Sequence, residues 1–470
     1  MLKIYNTKTK KKEIFKPIIP GKINMYVCGM TIYDLCHLGH ARTFIVFDMI
    51  ARYFRYLGYQ LKYIRNITDI DDKIIKKANK NKETCYALSK RMLKEMNKDF
   101  SKLNIIKPNL EPKVTDHIND IISFIKILIQ NKNAYISKNG DVMFSIKTYK
   151  RYGELSKQNI NKLIFNQKKL NINEKENKLD FVLWKKTKNY EPHWLSPWGI
   201  GRPGWHIECS AINIKYFGNH FDIHGGGIDL KFPHHENEIA QSVCAYHGKY
   251  VNYWIHTGMI LVNKKKMSKS KNNFFTLQYL FKKYDPETIR YFLLSANYSS
   301  QLNFEENDLK KSYNSLKYIY KVLEEIKINQ KKDDKSNCNE IENIKMMFLE
   351  AMNDNFNTPK IYSLFFYLIK EIKKFKNSNI SIANDLTIQF YKFGNILGLF
   401  QKTIKCSLNN DVYNDKNKIR KIEEIIEERN YARKKKSWNK ADLLRNKLSK
   451  MGIILEDNKD KTKWYFKDKK

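Results

Sequence analysis

No apolar run in this sequence is long enough to cross a membrane. The apolar core of a secretion signal is missing too. MLKIYNTKTK opens with charge and stays polar, which predicts no signal peptide. Cysteine is scarce and scattered, seven residues in 470, an odd number in a long chain. That argues against a disulfide framework and for a reducing, cytoplasmic compartment. Acidic residues are outnumbered, 49 against 87 lysines and arginines, for a net charge of +38. Such a charge draws polyanions at long range. A+T-rich coding also enriches Lys, Asn and Ile, so nucleic-acid binding has to be argued from sites. No internal repeat is visible, and the length allows two to four domains with a large core.

What is present has α/β character. NMYVC (24–28) reads as a buried strand, residues 37–58 as a helix closing at glycine, and LKYIRNIT (61–68) as a second strand. Strand, helix, strand predicts a parallel unit. Residues 85–130 read as helical. The pattern changes over 132–185, where KNGDVMFSI joins a turn to a strand-like run and 166–178 reads as a polar loop; this stretch looks like an insertion. The α/β pattern returns with FDIHGGG (221–227) as a strand, 233–248 as a helix and YWIHTGMILV (253–262) as a strand. After residue 285 the chain turns helical, with charged linkers at 327–340 and 408–418. It ends in a long helical pattern, then GIILED and KWYF as short strands.

Two constellations carry chemistry. Eight of the eleven histidines lie between His193 and His256. His234 and Glu238, four apart on a predicted helix, share a face and can each offer a lone pair to one ion. Cys28 follows a predicted strand and Cys209 lies in RPGWHIECSA. Strand ends converge on ligand sites in parallel α/β folds, and a Cys, Cys, His, Glu set suits tetrahedral zinc. The four are dispersed, and a helical His–Glu pair is also a common surface arrangement. The second constellation is His37–Leu–Gly–His40, where a helix starts after a strand. Helix N-termini attract anions, both histidines can donate to phosphate, and Gly39 permits close approach of a nucleotide. Lys266–Met–Ser–Lys–Ser270 adds two lysines able to neutralise a triphosphate. Each motif alone is weak.

In this order, about 225 residues apart, HLGH and KMSKS resemble the paired signature of class I aminoacyl-tRNA synthetases. CGMTIYDLCHLGHART (28–43), NITDIDDKII (66–75), RPGWHIECSA (202–211), FDIHGGGIDLKFPHHENEIAQS (221–242) and HTGMILVNKKKMSKS (256–270) resemble cysteinyl-tRNA synthetases, and the likeness runs nearly the whole length. The resemblance implies one zinc held by Cys28, Cys209, His234 and Glu238, selecting cysteine over the near-isosteric serine through a Zn–S bond of about 2.3 Å. It makes His224, His235 and His256 supports for those ligands, and Thr68 and Trp205 contacts of the amino-acid pocket. It implies that His37, His40, Lys266 and Lys269 handle the phosphates of ATP, supplied with magnesium, while Gly39, Gly225, Gly226 and Gly227 let the nucleotide lie against backbone. Where the family continues with Leu-Gly-Asn, this chain has Lys271, Asn272 and Asn273, which puts the closure of that loop in question. The tail (429–457) resembles the family's anticodon-binding domain, with Arg433, Trp438, Asp442 and Asp457 as the base-reading residues.

The implied architecture is a Rossmann-type parallel-sheet catalytic domain over 1–310, with a connective insertion at about 110–200 and a KMSKS-bearing segment at about 250–310. A helical bundle over 311–404 and a small anticodon-binding domain over 405–470 follow. The implied activity is ATP-dependent ligation of L-cysteine to its tRNA, by a monomer that uses no membrane. Two alternatives are a ligase that passes activated cysteine to a small amine, and an inactive RNA-binding relative.

Overall fold

The computed structural model describes residues 1–159, 176–187, 191–267, 273–326, 338–401, 416–435, 437–451, 453–457 and 462–466. Contacts group the chain into two compact units. One comprises Met1–Ser312, Asn337–Leu368 and Ile388–Leu399, the other Tyr313–Ser336, Ile369–Thr387 and Phe400–Lys470.

The first unit opens with a hairpin, β1 (Lys3–Asn6) and β2 (Lys11–Ile14). β3 (Lys22–Val27) then buries Ile23, Met25, Tyr26 and Val27 completely. A fully apolar strand end is what a sheet covered on both faces requires. It leads to α1 (Leu38–Tyr56), and Gly58, at φ +85°, turns the chain into β4 (Gln60–Arg65). β3 and β4 pair in parallel, Lys22 opposite Gln60 through Val27 opposite Arg65. α2 (Asp72–Asn81) and α3 (Cys85–Lys102) start at Asp71 and Thr84, whose side chains accept from the amides of Lys73 and Ala87. α4 (Ile118–Gln130) precedes an antiparallel sheet of β5 (Ala134–Ile136), β6 (Val142–Phe144), β7 (Phe181–Lys186) and β8 (Gly201–Pro203). α5 (Trp205–Phe217), β9 (Phe221–Gly227), α6 (Glu236–Tyr246) and β10 (Val251–Thr257) return to the parallel sheet.

That sheet has the order β10-β9-β3-β4, every pair parallel. From β3 the chain winds one way to β4, then returns to β9 on the other side of β3. Such a reversal leaves a crevice at the carboxyl ends of the two central strands, where ligands of open α/β sheets collect. Cys28 follows β3, and Gly225–Gly227 close β9, so both sequence constellations are delivered to this crevice.

Three sequence expectations change in detail. YWIHTGMILV is two strands: β10 stops at Thr257, and β11 (Ile260–Val262) joins a separate sheet with β12 (Lys265–Lys266) and β13 (Leu302–Phe304). The chain leaves the first sheet at Gly258, whose amide donates to the Tyr298 carbonyl at 2.8 Å. A Cβ there would lie 2.1 Å from the Ser300 carbonyl oxygen. The helix expected from residue 233 begins at Glu236. Phe232, before Pro233, is extended at φ −140°, ψ 132°, as a residue preceding proline prefers. The helical run expected over 85–130 is interrupted, because residues 109–114 lie along β4, with Asn109 N donating to Tyr63 O at 2.8 Å.

Two short helices, α7 (Leu277–Phe281) and α8 (Pro286–Leu293), lie between β12 and β13 in sequence. Four longer ones follow: α9 (Glu306–Glu324), α10 (Cys338–Asn353), α11 (Thr358–Ser378) and α12 (Ile380–Ile396). The second unit ends with α13 (Lys416–Lys434), α14 (Trp438–Lys450) and the hairpin β14 (Ile453–Asp457), β15 (Thr462–Phe466). Ile422, Ile426, Leu448 and Ile453 form a small buried cluster among these last elements. No helix among the described residues is long and apolar enough to cross a membrane. Lys269, Lys271, Asn272 and Cys406 lie outside the described residues, as do most of the loop and linker stretches read from the sequence.

Candidate active site and metal centre

Four donors meet where the end of β3, α5, the turn before α6 and the first turn of α6 converge. The sulfurs of Cys28 and Cys209 are 3.6 Å apart. His234 Nε2 lies 3.2 Å from Glu238 Oε1, and Cys28 Sγ lies 3.4 Å from the same oxygen. All four donor atoms fall within 4.8 Å of one another, and no side chain is more than 3% exposed. Tetrahedral zinc with bonds of about 2.0–2.3 Å spaces its ligands about 3.3–3.8 Å apart, so this set fits such an ion. Cys28, His224, His235 and Glu238 also lie within 4.8 Å. In that set there is one thiol fewer, and His224 Nε2 is already 2.8 Å from Glu238 Oε2.

The electrostatics of the first set ask for a cation. Burial raises the Cys28 thiol well above its ordinary value. Burial pushes Cys209 up as well, but hydrogen bonding from Cys28 and His234 outweighs it and brings the thiol to about 6. Burial disfavours a charged His234, yet bonds to Cys209 and Glu238 raise it to about 10. Burial would raise Glu238, but His224 and His234 hold it well below the usual carboxylate range. One buried imidazolium thus gathers the acidic donors around it, the place a divalent ion would take.

A network surrounds the donors. His224 Nε2 bonds the outer oxygen of Glu238. His235 Nε2 lies 3.3 Å from Cys28 Sγ, and its Nδ1 lies 2.8 Å from His256 Nε2. Burial pushes His235 well below its ordinary value and His256 to about 3, so both stay neutral.

One cavity of about 420 Å³ is lined by residues of both constellations, among them Cys28, Trp205, His37, His40 and Lys266. Trp205, the first residue of α5, sets its ring 4.4 Å from that of His234. Thr68 does not line the cavity. It is buried, donating to Glu208 Oε2 at 2.9 Å.

His37 caps its own helix. Its Nδ1 accepts from the amides of Gly39 at 3.1 Å and His40 at 3.3 Å, while His40 Nδ1 accepts from the His37 amide. The two rings stack with centroids 3.5 Å apart. First-turn amides read from the sequence as open to phosphate are therefore already held by an imidazole, and the rings themselves face the cavity. Gly39 and Gly227 line the cavity as well. Gly225 serves packing instead. A Cβ there would lie 2.1 Å from the Phe47 ring, so the bare glycine lets α1 close on the sheet. Gly226 likewise faces Leu230 and His235.

The chain matches the family model for the catalytic domain of class I tRNA synthetases (C) over residues 14–314, the DALR domain over 347–401 and the cysteinyl-tRNA ligase anticodon binding domain over 420–464. It is 53% identical to the cysteine–tRNA ligases of Pasteurella multocida and of Photorhabdus laumondii, over 99% of each chain. The chain belongs to the cysteine–tRNA ligase family. Its fold also resembles methionyl-tRNA synthetase of Mycobacterium tuberculosis, with a TM-score of 0.61 at 12% identity, covering 82% of this chain and 93% of that one.

Sequence reasoning missed several residues of this cysteine–tRNA ligase family site. His206 Nδ1 lies 3.0 Å from His234 Nδ1, on the ring atom turned away from Glu238. Its signal was present: three residues before Cys209, it shares a helix face with that thiol. Asp229 lines the cavity, and its carboxylate folds over Gly227, where a Cβ would meet Oδ1 at 2.4 Å. An acid two residues after a glycine-closed strand could have marked it. Lys73 also lines the cavity. In the tail, Trp438 opens α14 and is 59% exposed. Asp442, one turn on, and Arg433, in the last turn of α13, are exposed too. Asp457 is the last residue of β14.

Proposed function

We propose that this chain activates L-cysteine with ATP and transfers it to the 3′ end of its tRNA, with zinc held by Cys28, Cys209, His234 and Glu238. The observation that carries the reading is the single cavity lined by Cys28 together with the HLGH pair and Lys266. A zinc ion bound by the four donors supplies a soft Lewis acid that takes a thiolate in preference to a hydroxyl. The chain's own residues do the rest. Trp205 walls the cavity beside the donors, its ring against that of His234. The buried His224, His235 and His256 fix the orientation of Glu238 and Cys28.

No protein nucleophile is needed. An oxygen of the cysteine carboxylate attacks the α-phosphorus of ATP, the bond to the β-phosphate oxygen breaks, and pyrophosphate leaves with its electron pair and magnesium. His37 and His40 donate to the phosphates as charge develops, and Lys266, on exposed β12, meets the leaving group with Lys269. Gly39 and Gly227 leave room for the nucleotide, and Asp229 is placed to accept from a ribose hydroxyl or the substrate amine. Gly225 and Gly226 serve the site by keeping β9 close to α1 and to the turn before α6; Thr68 holds the buried Glu208 beside Cys209. A tRNA ribose hydroxyl then attacks the activated carbonyl and AMP leaves.

In this reading residues 1–310 are catalytic, 311–404 form a helical bundle and 405–470 read the anticodon. Exposed Trp438 and Asp442 on one face of α14, with Arg433 and Asp457, suit stacking and edge recognition of unpaired bases. Cysteine-dependent ATP–pyrophosphate exchange, followed by charging of a purified tRNA transcript for cysteine, tests the proposal. Exchange without charging would favour transfer to a small amine, and neither reaction would leave an inactive RNA binder.

A further inference from the structure

α2 carries lysines at 73, 76, 77 and 80, the i, i+3, i+4, i+7 spacing that sets all four on one helix face. Ile74, Ile75 and Ala78 are buried on the other. Lys73 lines the cavity, with Nζ 5.8 Å from the Tyr33 ring and 5.9 Å from the Trp205 ring. From Lys73 the stripe runs one turn along the axis to Lys76 and Lys77 and a second turn to Lys80, about 5 Å and about 10 Å of rise. Lys76 and Lys80 are exposed and Lys77 is half-buried. The acids nearby are engaged by other bases: Asp72 by Lys185 and Arg202, Glu83 by Arg91. Glu83 also draws on Lys77, while no ion pair among the described residues takes up the charge of Lys76 or Lys80.

We propose that Lys76, Lys77 and Lys80 hold the phosphates of the tRNA acceptor strand as its 3′ end enters the cavity. The inference rests on the tRNA-charging reading above. Whatever polynucleotide end reaches the cavity, the phosphates behind it must lie along an element that borders it. α2 is such an element, and it presents cations at one-turn intervals leading away from Lys73. A merely solvated face would carry the same residues but would not be felt by the substrate.

The test replaces Lys76, Lys77 and Lys80 together by Gln, a good helix former, and in parallel by Arg. Lys73 is left alone because it lines the cavity. Binding and charging of a tRNA transcript for cysteine are measured from 50 to 200 mM salt, beside ATP–pyrophosphate exchange. Each phosphate contact contributes about 0.7–0.9 to the slope of log affinity against log salt. Three contacts make the parent lose roughly 20- to 40-fold more affinity than the Gln variant over that range. The Arg variant should keep the parent's slope, and exchange should be unchanged in both. A duplex of the acceptor stem with its unpaired 3′ end should show the same parent-to-variant ratio in binding.

Equal slopes for parent and Gln variant, with the parent charging normally, would overturn the stripe and leave the charging reading intact. A loss seen with whole tRNA but not with the acceptor duplex would also overturn it, as would an equal loss of pyrophosphate exchange. A parent that exchanges pyrophosphate but charges no tRNA would remove both.

Discussion

The thiol side and the phosphate side of the cavity are built on opposite principles. On the thiol side every donor is buried, and each has at least one neighbour: His224 on Glu238, His206 on His234, His235 on Cys28 and Asn66 on Cys209. On the phosphate side the His37 and His40 rings are held to the start of α1 through Nδ1 yet stay half-exposed, and Lys266, the group free to move, is exposed on a two-residue strand. A site that must separate sulfur from oxygen has to be rigid before the substrate arrives, since the discrimination lies in bond type and distance. A site that follows a triphosphate from reactant to departing pyrophosphate gains from groups that can move with it.

Breaking the thiol side should have the largest consequence. Cys209→Ser removes one of two soft donors, so bound zinc should fall from one per chain to about a tenth or less, and cysteine activation should fall with it. Metal analysis alongside pyrophosphate exchange checks this; full occupancy in the variant would refute the ligand set. On the phosphate side, His40→Ala should slow adenylate formation roughly a hundred- to thousandfold while metal content stays at the parent level. Exchange at the parent rate would refute the role.

The contrast sharpens with His224→Ala, which takes the hydrogen bond from Glu238 without touching a ligand atom. Zinc affinity should weaken about 10–100-fold, measured by competition with a chelator, and unchanged affinity would show that Glu238 needs no such support. The smallest effect is expected far along the chain. Trp438→Ala should lower charging roughly five- to a hundredfold, the equivalent of about 1–3 kcal/mol for one stacked base. Pyrophosphate exchange should stay at the parent level. Loss of both would mean that the indole supports the fold and does not read a base.

Much of this was readable in the residues, and what was not has a common cause. The parallel unit, the strand FDIHGGG and the final hairpin follow from local periodicity, because a strand or helix declares its buried face in its own sequence. The break in YWIHTGMILV does not, because it depends on the carbonyl of Ser300, distant in sequence, closing on Gly258. Gly225 reads as a nucleotide glycine until the Phe47 ring is seen against it. His37 reads as a phosphate ligand, and only the backbone shows that one of its ring nitrogens caps α1. Cys28, Cys209, His234 and Glu238 could be nominated from residue type and position, and the family resemblance then joined them as one set. Their spacing, 28 to 238, would not have joined them. His206 was passed over although it stands three residues before Cys209 on the same helix face, because only the fold shows His234 Nδ1 turned toward it.

The central claim is that the buried thiol side, with its metal, chooses the amino acid. Its most direct test is ATP–pyrophosphate exchange with cysteine and with serine, in the zinc-loaded protein and after removal of the metal by a chelator. Zinc-loaded protein should exchange with cysteine and scarcely with serine. Stripped protein should lose the cysteine-dependent reaction and regain it when zinc is restored. Cysteine-dependent exchange at the parent rate in protein shown to hold no metal would contradict the account.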